Sequence, residues 1–225
     1  MFSFEGFMRI NLFLRNVYRV AYLNILWLIG TLAGLVVFGI GPASYAMAAY
    51  IDRWFRHGET PPVTRAFIAH FRAQFWRAAA MGWILTAVTL ITVTNIFSAG
   101  DWLLQFANVI ALVVVGIVTA YVFPVMAATD VRGIVRPITS ALLIGVGSLQ
   151  WTIVASATVA GTVWVLYAFA FPVLVLFGVG IPAAAVGFVT RIAFGRLAEE
   201  ATPASPPRAR GTATPRLHVA RGTTE

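Results

Sequence analysis

The chain has 225 residues, of which 60% are hydrophobic and only 11% are charged, whereas soluble domains carry roughly 25% charged residues. The formal net charge is +8 and cysteine is absent, which excludes disulfides and every site that needs a thiolate. All sixteen basic residues are arginines that flank apolar runs, where orientation signals and contacts with anionic lipid head groups are expected. We therefore expect a protein that binds the lipid bilayer and no nucleic acid.

Four uncharged runs predict the fold class. They contain 32, 23, 28 and 54 residues and lie at 20–51, 78–100, 102–129 and 137–190. Roughly 20 helical residues cross a hydrocarbon core of about 30 Å, so each run is long enough to span a membrane. The sequence predicts an all-α polytopic membrane protein with about six transmembrane helices, of which the second is short, and with additional interfacial amphipathic helices.

Residues 1–19 mix aromatic and aliphatic side chains with three arginines. This pattern is typical of a helix that lies in the membrane interface, although an extension of the first crossing has the same composition. We divide the chain into an N-terminal interfacial helix at 1–19, a transmembrane helical domain at 20–198 and a tail at 199–225. The tail is rich in arginine and proline, and we expect it to be disordered on the cytoplasmic side.

The first crossing is predicted at 20–39. Asn24 lies in its first half, where an asparagine can bond a neighbouring helix. Trp27 follows one turn later and suits the interfacial belt of aromatic residues. Both residues are predicted to have structural roles.

A Gly-Pro turn is predicted to end the first crossing. Pro42 lacks an N–H, disfavours helix at the residue before it and suits the first turn of a new helix. A short second helix is therefore predicted at 42–56, with Gly39 and Gly41 in the turn that precedes it. Whether this helix crosses fully or is re-entrant is left open by the sequence.

The distribution of arginines decides whether 20–51 forms one crossing or a hairpin. A hairpin returns the chain to the side that it left and places all sixteen arginines on that side, whereas a single crossing leaves three of them outside. Because cytoplasmic loops carry an excess of basic residues, we favour the hairpin, with both termini cytoplasmic. The external turns are then predicted at Gly39–Gly41, Ser98–Asp101 and 160–162.

A basic amphipathic segment follows the hairpin. Its aromatic residues recur every four positions beside arginines, a pattern typical of a helix that rests on lipid or on a partner. The residues predicted to face lipid or a partner are Phe67, Phe71, Arg72, Phe75 and Trp76. Packing of this helix on its own bundle is the alternative.

The remaining crossings are predicted at 78–97, 102–126, 138–160 and 163–188. A structural element with Tyr121, Phe123 and Pro124 lies near the cytoplasmic end of the crossing at 102–126. Pro172 and Pro182 interrupt the last crossing. Transmembrane helices tolerate such prolines where neighbouring groups satisfy the freed backbone atoms.

The sequence contains no recognisable chemistry of catalysis. Ionisable residues inside membrane spans usually mark transport or catalytic sites, and none lies near the midpoint of a predicted span. No histidine pair has metal-ligand spacing, and no serine-nucleophile or phosphate-loop motif is present. We predict no catalytic residue, no cofactor and no metal ligand. The polar residues in the spans either line a path for a polar solute or bond between helices, and the second is commoner.

Three stretches together resemble the YesL-like family of bacterial membrane proteins, a domain of unknown function numbered 624. They are "LNILWLIGTLAGLVVFGIGPASYAM", "FIAHFRAQFWRAAAMG" and "YVFPVMAATD". The resemblance covers about residues 10–195 and rests on the order and spacing of the three stretches. It implies a protein of five or six helices, often encoded beside carbohydrate ABC transporters and glycan-degrading enzymes, and it brings no catalytic residues.

These observations predict a non-enzymatic accessory protein of bacterial carbohydrate uptake, which docks on the membrane subunits of an ABC transporter in the cytoplasmic membrane. A small transporter or channel in its own right, for instance as a homo-oligomer, is the alternative. An intramembrane enzyme is the third interpretation. A polar cavity at mid-membrane depth would favour transport, and a bundle with an exposed apolar face would favour an interaction role.

Overall fold

The computed structural model describes residues 4–129 and 133–201. These residues form nine helices and no strand: α1 (Phe4–Ala33), α2 (Ile40–His57), α3 (Val63–Ala73), α4 (Phe75–Ser98), α5 (Trp102–Ala128), α6 (Val135–Gly147), α7 (Leu149–Phe169), α8 (Phe171–Phe177) and α9 (Gly180–Ala201). Among them α4, α5 and α7 are long and apolar enough to cross a membrane. The predicted all-α membrane class is confirmed. Asp130, Arg132 and the predicted tail from residue 202 onward lie outside the described residues.

Helix α1 is one unbroken helix of 30 residues, so no break separates the segment 1–19 from the first crossing. Phe7 and Phe13 in its first half are exposed, whereas Leu23 and Leu26 in its second half are buried against the bundle. A continuous α1 fits the alternative named above, in which residues 1–19 extend the first crossing. The interfacial position of 1–19 stays a prediction.

The turn between α1 and α2 occupies Gly34–Gly39 rather than the predicted Gly39–Gly41. Leu35 and Val36 adopt positive φ angles of 53° and 64°, and a right-handed helix cannot continue through such residues. The first crossing therefore ends as a helix at Ala33, six residues earlier than predicted.

Helix α2 begins at Ile40, two residues before Pro42. The proline occupies the third helical position, where a backbone N–H has no partner within the helix in any case. Its missing donor therefore costs nothing, and the next residue already donates, from Ala43 N to Gly39 O at 2.9 Å. Proline marks the start of the helix as predicted, although the boundary shifts by two residues.

The tip of the α1–α2 hairpin lies beside α4 and well short of the α4–α5 turn. The indole Nε1 of Trp83 donates to Val37 O at 2.7 Å, and the rings of Phe38 and Trp83 are 4.6 Å apart between centroids. Beyond Trp83, α4 continues for fifteen residues to Ser98, about 22 Å at 1.5 Å per residue. The tip and the α4–α5 turn therefore lie at different levels along α4, and the external position of the hairpin turn stays a prediction.

The physical reason is the length of α2. Only twelve residues, 40–51, precede its first charged side chain, which is about 18 Å of helix against a hydrocarbon core of about 30 Å. Every backbone N–H from Gly34 to Ile40 donates within the hairpin, at 2.7–3.2 Å, and the turn sequence GLVVFG carries no polar side chain. The turn therefore leaves no backbone N–H without a partner, although Leu35 and Val37 are exposed.

The predicted amphipathic segment is split at Gln74, which has φ −124° and separates α3 from α4. Helices α4 and α5 then form an antiparallel pair. The side chain of Asp101 caps α5 by accepting from Leu103 N at 3.1 Å. The crossings predicted at 78–97 and 102–126 correspond to α4 and α5. Helix α4 is three residues longer at its start and one at its end, and α5 is two residues longer at its end.

Helices α6 and α7 form one bent segment, and α7 continues through the predicted turn at 160–162. The bend lies at Ser148, whose backbone N–H still donates one turn back at 2.9 Å. The crossings predicted at 138–160 and 163–188 are therefore wrong in their bounds. Gly161 does not interrupt the helix, because transmembrane helices accommodate glycine readily.

Helices α8 and α9 bring the chain back along the first hairpin. Gly180 packs on Val20 of α1. Gly187 packs on Ile51 of α2 and Phe194 lies against Arg56 of α2, so α9 runs parallel to α2. The break between α8 and α9 lies just before Pro182, whose ring cannot supply the N–H that a continuous helix requires.

Helix α2 is the centre of the bundle and contacts α1, α3, α4, α5 and α9. Two clusters of buried side chains meet on it, one shared with α1 and α3 and the other with α4, α5 and α6. Tyr50, Met47 and Ile51 of α2 are almost fully buried. The two cavities described below both lie beside this helix.

Candidate functional site

Asn24 joins α1 to the break between α8 and α9. Its Oδ1 accepts from the backbone N–H groups of Val179 and Gly180, both at 3.0 Å, and the residue is only 1% exposed. The first N–H groups of a helix have no partner within that helix, so this side chain satisfies the start of α9. The prediction that Asn24 bonds a neighbouring helix agrees with this contact.

Trp27 and the glycines of the Gly-Pro turn determine how closely α1, α2 and α4 pack on one another. The indole Nε1 of Trp27 donates to the Ser44 hydroxyl at 3.0 Å. A Cβ on Gly41 would overlap the Ala78 carbonyl of α4, and a Cβ on Gly82 would lie 3.1 Å from the Gly41 Cα. Glycine therefore permits backbone-to-backbone packing here, as it does between membrane helices generally.

Gly39 and Pro42 belong to the same junction. Gly39 is buried, and a Cβ on it would overlap the Thr31 carbonyl of α1. Pro42 is also almost fully buried. These residues therefore pack the start of α2 closely against α1.

The second predicted element joins α5 to the bend between α6 and α7. The Tyr121 hydroxyl and Thr152 Oγ1 are hydrogen-bonded at 2.8 Å, and Thr152 Oγ1 also lies 3.3 Å from Gly145 O. Phe123 is buried, and both Phe123 and Pro124 line a cavity on the other side of α5.

That cavity, which we call the apolar groove, lies between α2, α4, α5 and α9 and has a volume of about 590 Å³. Small-molecule sites span roughly 300–1,000 Å³. Aliphatic and aromatic side chains dominate its walls. The polar residues among its lining are Ser44, Asp52, Thr86, Thr89, Thr119 and Thr190.

The threonines of the groove offer few hydrogen-bond donors to a ligand. Three of them donate their hydroxyl proton to the carbonyl four residues earlier on their own helix, at 2.8 Å: Thr89, Thr119 and Thr190. Such back-bonding is common for threonine within membrane helices. The groove therefore presents mainly hydrocarbon and suits an apolar occupant.

A second cavity, which we call the polar cavity, lies between α2, α3 and α5 and has a volume of about 300 Å³. It contains two ion pairs, each between an arginine and a carboxylate. Arg56 meets both carboxylate oxygens of Asp52, at 2.7 Å and 3.1 Å, and Arg53 Nε lies 3.0 Å from Glu59 Oε2. Asp52 lines both cavities.

His70 of α3 contributes an imidazole to the polar cavity. Its Nε2 is buried and has no hydrogen-bond partner within the described part of the chain. Burial lowers the pKa of His70 below its usual value, and the nearby charge of Arg53 lowers it further. The imidazole is therefore neutral at pH 7.

The five residues predicted to face lipid or a partner divide between two environments. Phe67 is buried and Phe71 is half-buried, and both rings contact Gly30 of α1, which is the packing on its own bundle that we named as the alternative. Trp76 is 74% exposed and Arg72 is exposed. Phe75 is half-buried and stacks edge-on against both Phe71 and Trp76.

The sequence-based reasoning missed the polar cavity, because it placed Asp52 only at a helix end and His70 only in an interfacial helix. The spacing of Asp52 and Arg56, four residues apart, was a usable signal for an ion pair on one helix face. No group of three potential metal ligands occurs among the residues that the structure describes.

Comparison with known proteins places the chain in a family. The signature of the family described as "Protein of unknown function, DUF624" matches residues 20–96. The uncharacterized protein YesV of Bacillus subtilis (strain 168) is 32% identical over 149 residues, which are 58% of this chain and 72% of YesV. The chain belongs to the DUF624 family. The predicted YesL-like resemblance is confirmed.

Two further DUF624 relatives come from the same organism. The uncharacterized protein YesL is 35% identical over 127 residues, which are 55% of this chain and 60% of YesL. The uncharacterized protein YteU is 30% identical over 143 residues, 61% of this chain and 64% of YteU. The matched part thus spans less than two thirds of YesL and YteU. No solved structure matches the chain.

The DUF624 signature covers the second half of α1, all of α2 and α3, and most of α4. It therefore includes Asn24, the hairpin tip, the close contact of Gly41 with α4, and His70. The walls that α5 and α9 give to the apolar groove lie beyond the matched range.

Proposed function

We propose that this DUF624 protein is a non-enzymatic accessory protein that docks through α7 on the membrane subunits of a carbohydrate ABC transporter. The observation that carries the proposal is the weak internal packing of α7. This helix is long enough to span a membrane, yet Thr152 is its only buried residue.

The exposed face of α7 has the composition of a helix-packing surface. Ala157 and Gly161 are exposed and stand four residues apart, and a Cβ on Gly161 would meet nothing within 4 Å. Small residues at this spacing allow membrane helices to approach closely. The transporter as partner, the bacterial cytoplasmic membrane and the cytoplasmic termini are inferred from the family resemblance and from the arginine distribution.

Copurification tests the proposal. A tagged chain extracted from native membranes is expected to bring the transporter subunits with it, and Gly161→Leu is expected to abolish this association by blocking close approach. Gly116→Leu on α5 is the matched control, because Gly116 is also exposed in a helix with open space around it. If the chain emerges alone, and a deletion strain takes up sugar normally, the proposal is wrong.

A small transporter is the second candidate, and one observation favours it. The break between α8 and α9 adjoins the apolar groove through Val179 and Pro182, and broken helices form the substrate sites of many secondary transporters. The freed N–H groups are already bonded to Asn24, which argues for the accessory role. Purified protein in liposomes would show flux of sugars or ions only if the transporter interpretation is right.

A further inference from the structure

The apolar groove and the polar cavity share one wall residue, and together they have the form of a site for an amphipathic molecule. Asp52 of α2 lines both. The groove extends from Asp52 along α2 to Ile40, twelve residues or about 18 Å of helix. One leaflet of a hydrocarbon core is about 15 Å deep, so the groove matches the length of a lipid acyl chain.

The position of the cavities agrees with the orientation of a lipid. The polar cavity lies at the end of α2 that carries Arg53 and Arg56 and borders the loop with Glu59. The groove leads from there towards the hairpin tip and the middle of α4. A head group at the arginine end and a tail in the groove would therefore lie as they do in a bilayer leaflet.

The charges of the polar cavity select among head groups. Each arginine is balanced by a carboxylate, Arg56 by Asp52 and Arg53 by Glu59, so a purely anionic head group finds no excess of positive charge. A head group with both signs finds a partner for each, since phosphate pairs with guanidinium and ammonium with carboxylate. A primary ammonium also carries three hydrogen-bond donors, which the carboxylates of Asp52 and Glu59 can accept.

We propose that the apolar groove and the polar cavity together bind one phospholipid with a phosphoethanolamine head group. One of its two acyl chains lies between α2, α4, α5 and α9, and its head group lies against the two ion pairs. This site is independent of the α7 surface proposed for docking, so either proposal can fail alone.

Native mass spectrometry of the full chain in detergent, titrated with palmitoyl-oleoyl phosphatidylethanolamine, tests the site. One lipid is expected to bind about tenfold more tightly than the same lipid with a glycerol head group, a difference of about 1.4 kcal/mol. Equal or tighter binding of phosphatidylglycerol would overturn the head-group assignment, because it would indicate general attraction to a basic protein.

Blocking the groove tests the tail. Thr86 lines the groove and is exposed, so Thr86→Phe fills the groove without disturbing the core and is expected to weaken lipid binding by about tenfold or more. Thr94→Phe is the matched control, since Thr94 is exposed on the same helix and does not line the groove. Equal binding by both variants would place the lipid elsewhere.

Altering one carboxylate tests the head group. Glu59 is half-exposed, so Glu59→Gln is expected to leave the fold intact and to free the charge of Arg53. The preference for phosphatidylethanolamine over phosphatidylglycerol is then expected to fall by about tenfold, because the ammonium of the head group loses one carboxylate partner. An unchanged preference would show that the ion pairs do not contact the head group.

Discussion

At the scale of single residues, the bundle depends on two kinds of contact. In one, the backbones of two helices pack directly on each other. In the other, a buried side-chain amide accepts hydrogen bonds from the first N–H groups of a helix. Asn24 supplies two hydrogen bonds to the start of α9, and Gly41 lets α2 touch α4 without an intervening side chain. Both residues were named from the sequence. Their partners were not, because α9 and α4 are distant in the chain and no local pattern specifies which backbone atoms they meet.

Removing the amide of Asn24 is expected to destabilise the fold. Asn24→Ala leaves two buried N–H groups without a partner, at a cost of about 1–2 kcal/mol. We expect a lower thermal midpoint in detergent than for the wild type. Asn108→Ala is the control, because the Asn108 side chain donates only to Leu104 O of its own helix. Equal shifts for the two variants would contradict the capping role.

Adding a methyl group to Gly41 is expected to force α2 away from α4. Gly41→Ala places a Cβ against the Ala78 carbonyl, and overpacking of this kind costs about 1–3 kcal/mol. Gly100→Ala adds the same atom where nothing lies within 4 Å and should leave the thermal midpoint nearly unchanged. A stable Gly41→Ala protein would mean that the two helices have room to separate.

At the scale of elements, four prolines mark where helices begin, whereas Pro124 lies inside α5. Pro42, Pro137, Pro172 and Pro182 each lie at the second or third position of a helix, where a missing N–H is harmless. This rule was applied only to Pro42, whereas Pro172 and Pro182 were treated as interruptions of one crossing. Pro172 therefore indicates the break at Ala170. We nevertheless predicted a continuous crossing there, because residues 138–188 are uniformly apolar.

The packing of α3 on the bundle is expected to depend on pH through His70. Burial holds the pKa of His70 below its ordinary value of about 6.5, so the unfolded chain binds the extra proton first. Neutral His70 therefore contributes fully to the free energy of unfolding above about pH 6.5. This contribution falls as the pH drops through that value towards the pKa of His70 in the folded protein.

Thermal midpoints at pH 8 and pH 5.5 measure this dependence. His70→Gln is expected to lose less stability between these pH values than the wild type does. His57→Gln, in the exposed end of α2, should follow the wild type. A pH dependence that persists unchanged in His70→Gln would assign it to other groups.

At the scale of the whole molecule, the arginine count fits a re-entrant hairpin as well as a crossing one. In both cases the chain returns to the side that it left, so the sixteen arginines can share one face. Counting charges therefore could not distinguish the two. The contact between Val37 and Trp83 places the tip fifteen residues of α4 before Ser98, and on that ground we expect a re-entrant hairpin.

Single cysteines test this depth, since the chain has none of its own. Cysteine at Gly100 is expected to react with a membrane-impermeant maleimide added outside intact cells, and cysteine at Gly58 only after the membrane is opened. If the hairpin is re-entrant, cysteine at Val37 should react slowly in both cases, because a re-entrant tip would lie at hydrocarbon depth. Rapid external labelling at Val37 would show that the hairpin crosses.

The turn GLVVFG also has a consequence for how the chain is made. A hairpin that enters and leaves by one face transfers no polar loop across the bilayer during synthesis. Among the described residues, the first segment to be exported would then be the α4–α5 turn with Asp101. We expect charges placed in that later turn, rather than in the first one, to decide which way the protein inserts.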